Sequence, residues 1–496
     1  MGAVASPGKA ASAFLGSTHA PFVDGRALAP KHAGPVAAMN PADGTKISEF
    51  LPASPAEADA AVEAARRAFR ERRWLGLTPS ARGQILWRIA ELIERDADEY
   101  AEIETLDCGK LLAAARHGDV AIAAEAFRYH AGWCTKLEGA TLAPTLAAPD
   151  EYTCYTSHQP LGVAVLIVPW NGPLAMTAWK LAPALAAGCT VVVKPPEQAS
   201  LSVLRLARTL AEAGVPAGVV NVVLGPGATI GDLLVRHREV NKISFTGSGV
   251  TGRRILAAAT PDLKRVTLEL GGKSAAVVFA DADLERSAAG IAGGIFGNAG
   301  QVCVASSRLL VEAQVYAPFL ELLAARAKKL KVGPGMDPAS EMGPVISAEH
   351  LASIAVKVDR GRAEGAQLLV GGRRLERSGY YFEPTILGNV PGTSAVMREE
   401  IFGPVLCAAS FQDEVQAIAL ANDTAYPLAG SVWTRDLARA HRVAGAVDAG
   451  LYWVNDHGRP DVAIPFGGFR GSGIGREQGR ESVLSYTELK SVMVRL

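Results

Sequence analysis

The sequence has no surplus of either charge: Lys+Arg number 50 and Asp+Glu number 50 among 496 residues. That balance argues against a chain built mainly to bind nucleic acid, which would carry a basic excess. Long hydrophobic runs are missing as well. The longest candidate, around Val163 to Trp170, falls well short of the ~20 residues a membrane helix needs and contains Pro169. Membrane association is therefore not expected. Cysteine is sparse. Cys108, Cys134, Cys154, Cys189, Cys303 and Cys407 lie far apart, with no CxxC pair, no Cys/His cluster at metal spacing and no HExxH. No metal site can be written from them, and no disulfide framework, so a reducing, cytoplasmic compartment is expected.

Hydrophobic residues make up 49% and charged residues 20%, an ordinary globular balance. A single core rarely grows past roughly 250–300 residues, so two large lobes are expected. The start of the chain, Met1-Gly2-Ala3-Val4-Ala5-Ser6, matches a myristoylation pattern. It has no basic segment leading into an apolar one and does not read as a signal peptide. Small and polar residues up to about Ser17 lead to the expectation of a disordered tail over residues 1–20.

Helix-like and strand-like segments alternate beyond that point. Ala56 to Arg70 and Pro79 to Arg116 read as helices, the latter with Ile85, Leu86, Ile89, Leu92 and Ile93 on one face and an interruption near Gly109. Val163 to Val168, Thr190 to Val193, Val219 to Leu224 and Lys242 to Phe245 are short continuous apolar runs. Helical stretches, Leu201 to Ala213 and Gly231 to Arg236, separate the later ones. Continuous apolar strands joined by helices imply a parallel sheet covered on both faces. The pattern resumes with strands Ala275 to Phe279 and Ser307 to Val311 and helices Leu284 to Phe296 and Tyr316 to Leu330. A second α/β lobe after about Leu270 follows, and Ser485 to Arg495 reads as a last strand.

Several segments carry chemistry. Gly247-Ser248-Gly249-Val250-Thr251-Gly252 is a literal G-x-G-x-x-G between a strand and a helix-capable run. Glycines there let backbone approach a pyrophosphate, and a helix N-terminus offers free N–H groups. The fingerprint also wants an acid about 20 residues on. Glu269, 17 residues beyond Gly252, is one candidate; Glu197, which precedes the motif but follows another strand end, is a second, and the spacing rule does not choose between them. Gly271-Gly272-Lys273-Ser274 fails as a phosphate loop because Thr267 stands where the first glycine belongs. Cys303, between Val302 and Val304, reads either as a buried apolar thiol or as a nucleophile. Asn171, after Pro169-Trp170, is either a turn residue or a donor to a developing oxyanion.

Taken together, seven blocks occur in a fixed order: Pro169-Trp170-Asn171, Lys194-Pro195-Pro196-Glu197, Phe245-Thr246-Gly247-Ser248, Glu269-Leu270-Gly271-Gly272-Lys273, Gly300-Gln301-Val302-Cys303, Glu400-Ile401-Phe402-Gly403-Pro404 and Pro465-Phe466-Gly467-Gly468. From about residue 20 to the end, the chain resembles the aldehyde dehydrogenase superfamily, NAD(P)-dependent and non-acylating. The resemblance implies a Cys303 nucleophile, a Glu269 general base and an Asn171 oxyanion donor. It implies nucleotide contacts from Pro169, Trp170, Lys194, Glu197, Gly247, Ser248, Gly252, Leu270, Glu400 and Phe402. The implied reaction takes an aldehyde to a carboxylic acid through a thiohemiacetal and a thioester that Glu269-activated water hydrolyses. NAD is expected over NADP, because the Glu197 carboxylate accepts a hydrogen bond from a 2′-hydroxyl and repels a 2′-phosphate.

The expected architecture is α/β. A Rossmann-like parallel-sheet nucleotide domain spans residues 21–141 and 161–269, and a catalytic lobe spans 270–470. A small β bridging element, 142–160 and 471–496, joins subunits into a homodimer or homotetramer. For the aldehyde, Met176, Trp179 and Phe466 are expected as apolar walls. Gly172 stands where many relatives carry an aromatic residue and should widen the tunnel. Arg459, in His457-Gly458-Arg459-Pro460-Asp461 near the expected mouth, is a candidate for greeting an acidic substrate group. Three competing readings are a coenzyme A-acylating aldehyde dehydrogenase, a non-catalytic binding relative and an NADP-linked reductase of activated acids. The first conflicts with the positioned base Glu269, and the second with intact Cys303, Glu269 and Asn171.

Overall fold

Alternate residues of the apolar strands serve opposite faces. In a computed structural model, which describes residues 6–28, 34–148 and 150–496, Ala164, Leu166, Val191 and Val193 pack into one core while Val163, Val165 and Val192 pack into another. These are the two sides of a single eight-stranded sheet, as period-two side-chain alternation requires. Its central strands are parallel and run, in spatial order, Arg265–Glu269, Lys242–Thr246, Val163–Ile167, Thr190–Lys194, Val220–Val222. The order reverses between Val163–Ile167 and Lys242–Thr246, which makes this edge the place where open α/β sheets leave a crevice. Antiparallel edge strands close both sides: Gly473–Ile474 on one, and Phe22–Val23 with Arg26–Ala27 on the other.

A second, seven-stranded sheet contains Ala275–Val278, Arg308–Glu312, Thr385–Gly388, Val405–Phe411, Ala429–Trp433 and Leu451–Val454 in parallel, with Gln367–Val370 antiparallel at one edge. It too is covered twice. Ala276, Val278 and Leu309 face one core, and Ala275, Val277 and Leu310 the other. A three-stranded antiparallel sheet pairs Thr487–Arg495 with Tyr152–Pro160 over nine residue pairs and adds Thr141–Leu142. Within the stretch 471–496 expected to bridge, Gly473–Ile474 belongs to the first sheet, and only Thr487–Arg495 joins Tyr152–Pro160.

The helices follow their sequence signals where these are strong. Ser54 and Glu57 form a reciprocal capping box, with Pro55 at the first position, and start the helix Pro55–Arg70. The long pattern after Pro79 is divided twice: at Asp96 (φ −101°, ψ 23°), which the sequence did not announce, and at Gly109 (φ 79°), which ends Ala97–Cys108. The tail expected over 1–20 is corrected from residue 6 onward. Lys9–Leu15 is a helix whose Ala11, Phe14 and Leu15 are buried, and Thr18–His19 pairs with Glu49–Phe50. Burial of those apolar side chains outweighs the low information of the surrounding small residues. The myristoylation pattern at Gly2 lies outside the described residues.

The two large sheets are joined by a short crossing. The strand Arg265–Glu269 ends one and Ala275–Val278 begins the other. Between them the chain is pinned repeatedly: Leu270 N–H donates to Ser472 O (2.9 Å), Gly272 N–H to a Glu400 carboxylate oxygen (3.0 Å), Lys273 N–H to Tyr426 O (3.2 Å), and Arg308 N–H donates to Ser274 O (3.0 Å). The second lobe rests on its own core, in which Phe319 is fully buried. Phe319→Ala should cost about 3–5 kcal/mol there, read as a lowered urea midpoint with the far-UV spectrum in buffer unchanged.

Candidate functional site

Four adjacent parallel strands end together, and each delivers one expected segment. Pro169, Trp170 and Asn171 follow Val163–Ile167, Lys194 ends Thr190–Lys194, Gly247 and Ser248 follow Lys242–Thr246, and Glu269 ends Arg265–Glu269. A cavity of about 320 Å³ opens at these ends, lined by Ile167, Lys194, Gly227, Asp232, Phe245 and Arg254 among others. Lys194 is buried, which pulls its ammonium below the usual range against the opposing pull of Glu197. Glu197 itself is exposed. Ser248 caps the helix Gly249–Ala259 by accepting from Thr251 N–H. Gly252 is buried on that helix, where a Cβ would meet Leu270 Cδ2 at 2.6 Å, so its role is close packing of helix against strand end. Thr246 Oγ1, at the strand end beside Gly247, is buried with no partner among the described residues.

Cys303 arrives from the other lobe, on the turn before Arg308–Glu312. It is the half-buried member of the six free cysteines; the other five are buried. Its thiol is pushed up to about 12, first by burial, then by the carboxylates of Glu400 and Glu269, while the N–H groups of Val304 and Cys303 pull the other way. The sulfur therefore has two acidic neighbours, one from each lobe. Glycines make the approach possible. A Cβ on Gly271 would lie 2.4 Å from a Glu400 carboxylate oxygen, one on Gly272 2.1 Å from Cys303 O, and one on Gly467 (φ 154°) 2.6 Å from a Glu269 oxygen. The glycine pairs in Glu269-Leu270-Gly271-Gly272 and Phe466-Gly467-Gly468 are thus places where three groups need the volume of a side chain.

Glu269 is buried, and neither carboxylate oxygen meets a donor among the described residues. Burial raises its carboxyl well above the usual range, and the neighbouring Glu477 carboxylate raises it further; Lys180 and Arg476 act against this. Behind it lies a buried polar cluster that the sequence reading missed. Lys180 on the helix Pro173–Ala187 pairs with Glu477, and Ser244 Oγ, on Lys242–Thr246, donates to Glu477 at 3.0 Å. Lys180 carried a readable signal, the single charge in an otherwise apolar helix. Glu477 carried none, because its partner is distant in sequence.

Asn171 Nδ2 donates to Gln301 O (2.9 Å), two residues before Cys303, and Asn298 Nδ2 donates to both Asn171 O (3.2 Å) and Gln301 O (3.3 Å). Asn298 and Ala299 both have positive φ (48° and 52°), so the turn ahead of Cys303 is strained. On the far side, the Trp170 ring packs edge-on against Phe402 (5.3 Å) and His350 (5.5 Å), and His350 Nε2 donates to Phe402 O at 2.7 Å. Lys357 Nζ donates to Glu400 O at 2.7 Å. His350 and Lys357 were also missed.

Of the expected substrate walls, Trp179 and Phe466 are buried with rings 5.4 Å apart, and Met176 is half-buried; all three share one apolar cluster with Cys303. The widening expected at Gly172 is corrected. A Cβ there would meet Asp119 Oδ1 at 3.1 Å and Lys110 Nζ at 3.8 Å, so an ion pair (2.7 Å) already occupies the space. Arg459 is exposed, and it is its backbone carbonyl that is engaged, accepting from Trp453 Nε1 at 3.2 Å.

No cluster of three or more His, Cys, Asp or Glu at metal-binding geometry, and no helix long and apolar enough to cross a membrane, occurs among the described residues. Replacing Glu400 with Gln removes a negative charge beside Cys303 while keeping an oxygen for Gly272 N–H. It should lower the thiol's pKa and speed alkylation of Cys303 by iodoacetamide at pH 8 severalfold, measured by mass spectrometry of the Cys303 peptide.

The chain as a whole is similar to known proteins. Residues 29–492 match the aldehyde dehydrogenase family. The chain is 42% identical over 475 residues to a betaine aldehyde dehydrogenase of Bacillus subtilis (strain 168), covering 95% of this chain and 96% of the relative. It is 43% identical over 459 residues to a phenylacetaldehyde dehydrogenase of Pseudomonas fluorescens, covering 92% and 91%. The NAD+ complex of an aldehyde dehydrogenase from Bacillus cereus superposes with a TM-score of 0.97 at 39% identity, covering 99% of both chains.

Proposed function

The chain belongs to the aldehyde dehydrogenase family, and on that footing we propose that it oxidises an aldehyde to a carboxylic acid with NAD+, with Cys303 as nucleophile and Glu269 as base. The observation that carries this reading is the half-buried Cys303 thiol within the electrostatic reach of a buried Glu269 that has no protein donor. That pair is suited to covalent capture followed by base-assisted hydrolysis.

The residues present fit a dinucleotide. The cavity at the strand ends, the unpartnered Thr246 hydroxyl and the capped helix at Ser248 support it. Lys194, Glu197, Gly247 and Ser248 would hold the adenosine and pyrophosphate part, with Gly252 and Leu270 packed beneath. Pro169, Trp170, Glu400 and Phe402 would hold the nicotinamide end. NAD+ supplies the hydride acceptor when bound. The exposed Glu197 carboxylate favours a ribose hydroxyl over a phosphate, which supports NAD over NADP.

In the proposed reaction the Cys303 sulfur bonds to the aldehyde carbon, and its proton leaves toward the buried carboxylate of Glu269. One hydrogen of the Asn171 amide is taken by Gln301 O. The second, with the Cys303 N–H, is left to stabilise the oxyanion, a contribution typically worth ~100–1,000-fold in rate. After hydride loss the carbon is held as a thioester. Glu269 first gives up the thiol's proton to solvent; it then takes a proton from water, the hydroxide adds to the thioester, and the C–S bond breaks, the sulfur regaining a proton as the acid is released.

Relatives with different aldehydes in their names match almost equally well, so overall identity does not choose the substrate. The Met176, Trp179 and Phe466 walls favour an apolar body, with Arg459 at the mouth available to an acidic terminus. We propose that the nucleotide domain comprises 21–141 and 161–269 and the catalytic domain 270–470. Assembly as a homodimer or homotetramer would use the sheet of Thr487–Arg495 and Tyr152–Pro160. Thr487–Arg495 is an edge strand, and Leu489 and Met493 on it are exposed, a face that natural sheets normally cover. Six unpaired cysteines support a reducing, cytoplasmic setting.

An aldehyde panel (aliphatic, aromatic, amino, acidic) tests the reading through NADH formation. NADH should appear without coenzyme A, NADPH should form more slowly when NADP+ replaces NAD+, and neither should form in Cys303→Ser; retention of activity in that variant would refute it. A second test concerns the base. In Glu477→Gln a negative charge beside Glu269 disappears while Lys180 remains, so the Glu269 carboxyl should ionise more readily. The acid limb of the kcat–pH profile should move to lower pH.

A further inference from the structure

The sequence singles out His457-Gly458-Arg459-Pro460-Asp461, and the proposed reaction makes no use of its histidine. His457 is nonetheless buried, beside the Cys303 turn. Its Nε2 lies 2.8 Å from Val304 O and its Nδ1 2.8 Å from Ser431 Oγ. A carbonyl only accepts, so Nε2 carries the proton and Nδ1 accepts from the Ser431 hydroxyl, which in turn accepts from Trp433 Nε1 at 3.2 Å. This fixes one neutral tautomer, and burial holds the ring's pKa down to about 4, so it stays neutral at physiological pH. The ring is also held sterically. It packs 5.1 Å from Trp453, and a Cβ on Gly294 would lie 2.8 Å from its Cδ2.

Val304 matters because of what its other end does. Its N–H is one of the two backbone groups that favour the Cys303 thiolate, while Gly272 lies against Cys303 O. Resting on the reading of Cys303 as nucleophile, we propose that His457 is a positioning residue: by holding Val304 O it fixes the peptide that follows Val304 and so restrains the backbone of Val304, whose own N–H lies in the preceding peptide shared with Cys303, and thereby sets the placement and reactivity of Cys303. His457 touches neither the reacting carbon nor the nucleotide in this account, so the effect should fall on turnover rather than on binding.

Two variants separate the contact from simple packing. Glutamine can place an amide donor where Nε2 stands; asparagine is too short to reach Val304 O. The measurements are kcat and KM for NADH formation with the best aldehyde of the panel, and the rate of Cys303 alkylation by iodoacetamide at fixed pH. His457→Asn should lose at least about tenfold in both kcat and alkylation rate, with both KM values within about twofold of wild type. His457→Gln should recover most of each loss. Equal rates in the two variants, or an asparagine variant that matches wild type, would overturn the proposal. If the asparagine protein does not fold, His457→Phe, which keeps the stacking on Trp453 and cannot donate, carries the same expectations. Cys303→Ser is run alongside. Retained activity there sinks the proposed function itself, whereas a dead serine variant with indistinguishable His457 variants sinks only the positioning role.

Discussion

A carboxylate held out of water next to a thiol is the constraint around which this molecule is arranged. Glu269 has no donor of its own, and the charged form is penalised by its surroundings. Such a group persists only if the surrounding structure over-determines its position. The parallel strand that ends in it, the bare Cα of Gly467 against one oxygen and the Glu477–Lys180 pair behind it do so together. The arrangement works against stability. The folded pKa is raised, so the folded state keeps the proton where the unfolded chain has lost it. Stability contributed by that retained proton falls as pH rises above the ordinary carboxylate range.

The same reasoning extends to Cys303. In a low-dielectric pocket between two carboxylates a thiol is a poor nucleophile at rest. Its N–H neighbours and the strained Asn298–Ala299 turn place it with care instead.

Much of this was legible in the sequence, though for uneven reasons. The continuous apolar runs at 163–168, 190–193 and 242–245 are strands within a residue or two, because parallel strands buried on both faces leave little choice of residue. The helix Pro173–Ala187 gave no amphipathic signal, since it is buried all round. The break at Asp96 depends on packing that periodicity does not encode. In the literal G-x-G-x-x-G, Gly252 proves to be a packing glycine beneath Leu270. Glu197 and Glu269, indistinguishable by spacing, separate at once by burial: one is exposed and the other enclosed. Glu477 stayed hidden because its partners lie far away along the chain, and the same distance concealed what His457 holds, although its segment stood out.

The crossing from Glu269 to Ala275 has a mechanical consequence. Leu270 is tied to Ser472 beside the first sheet, whereas Gly272, Lys273 and Ser274 are tied to Glu400, Tyr426 and Arg308 of the second lobe. The changeover from one lobe to the other therefore takes place within a single residue, Gly271, and leaves no slack chain between the base and the lobe that carries the thiol.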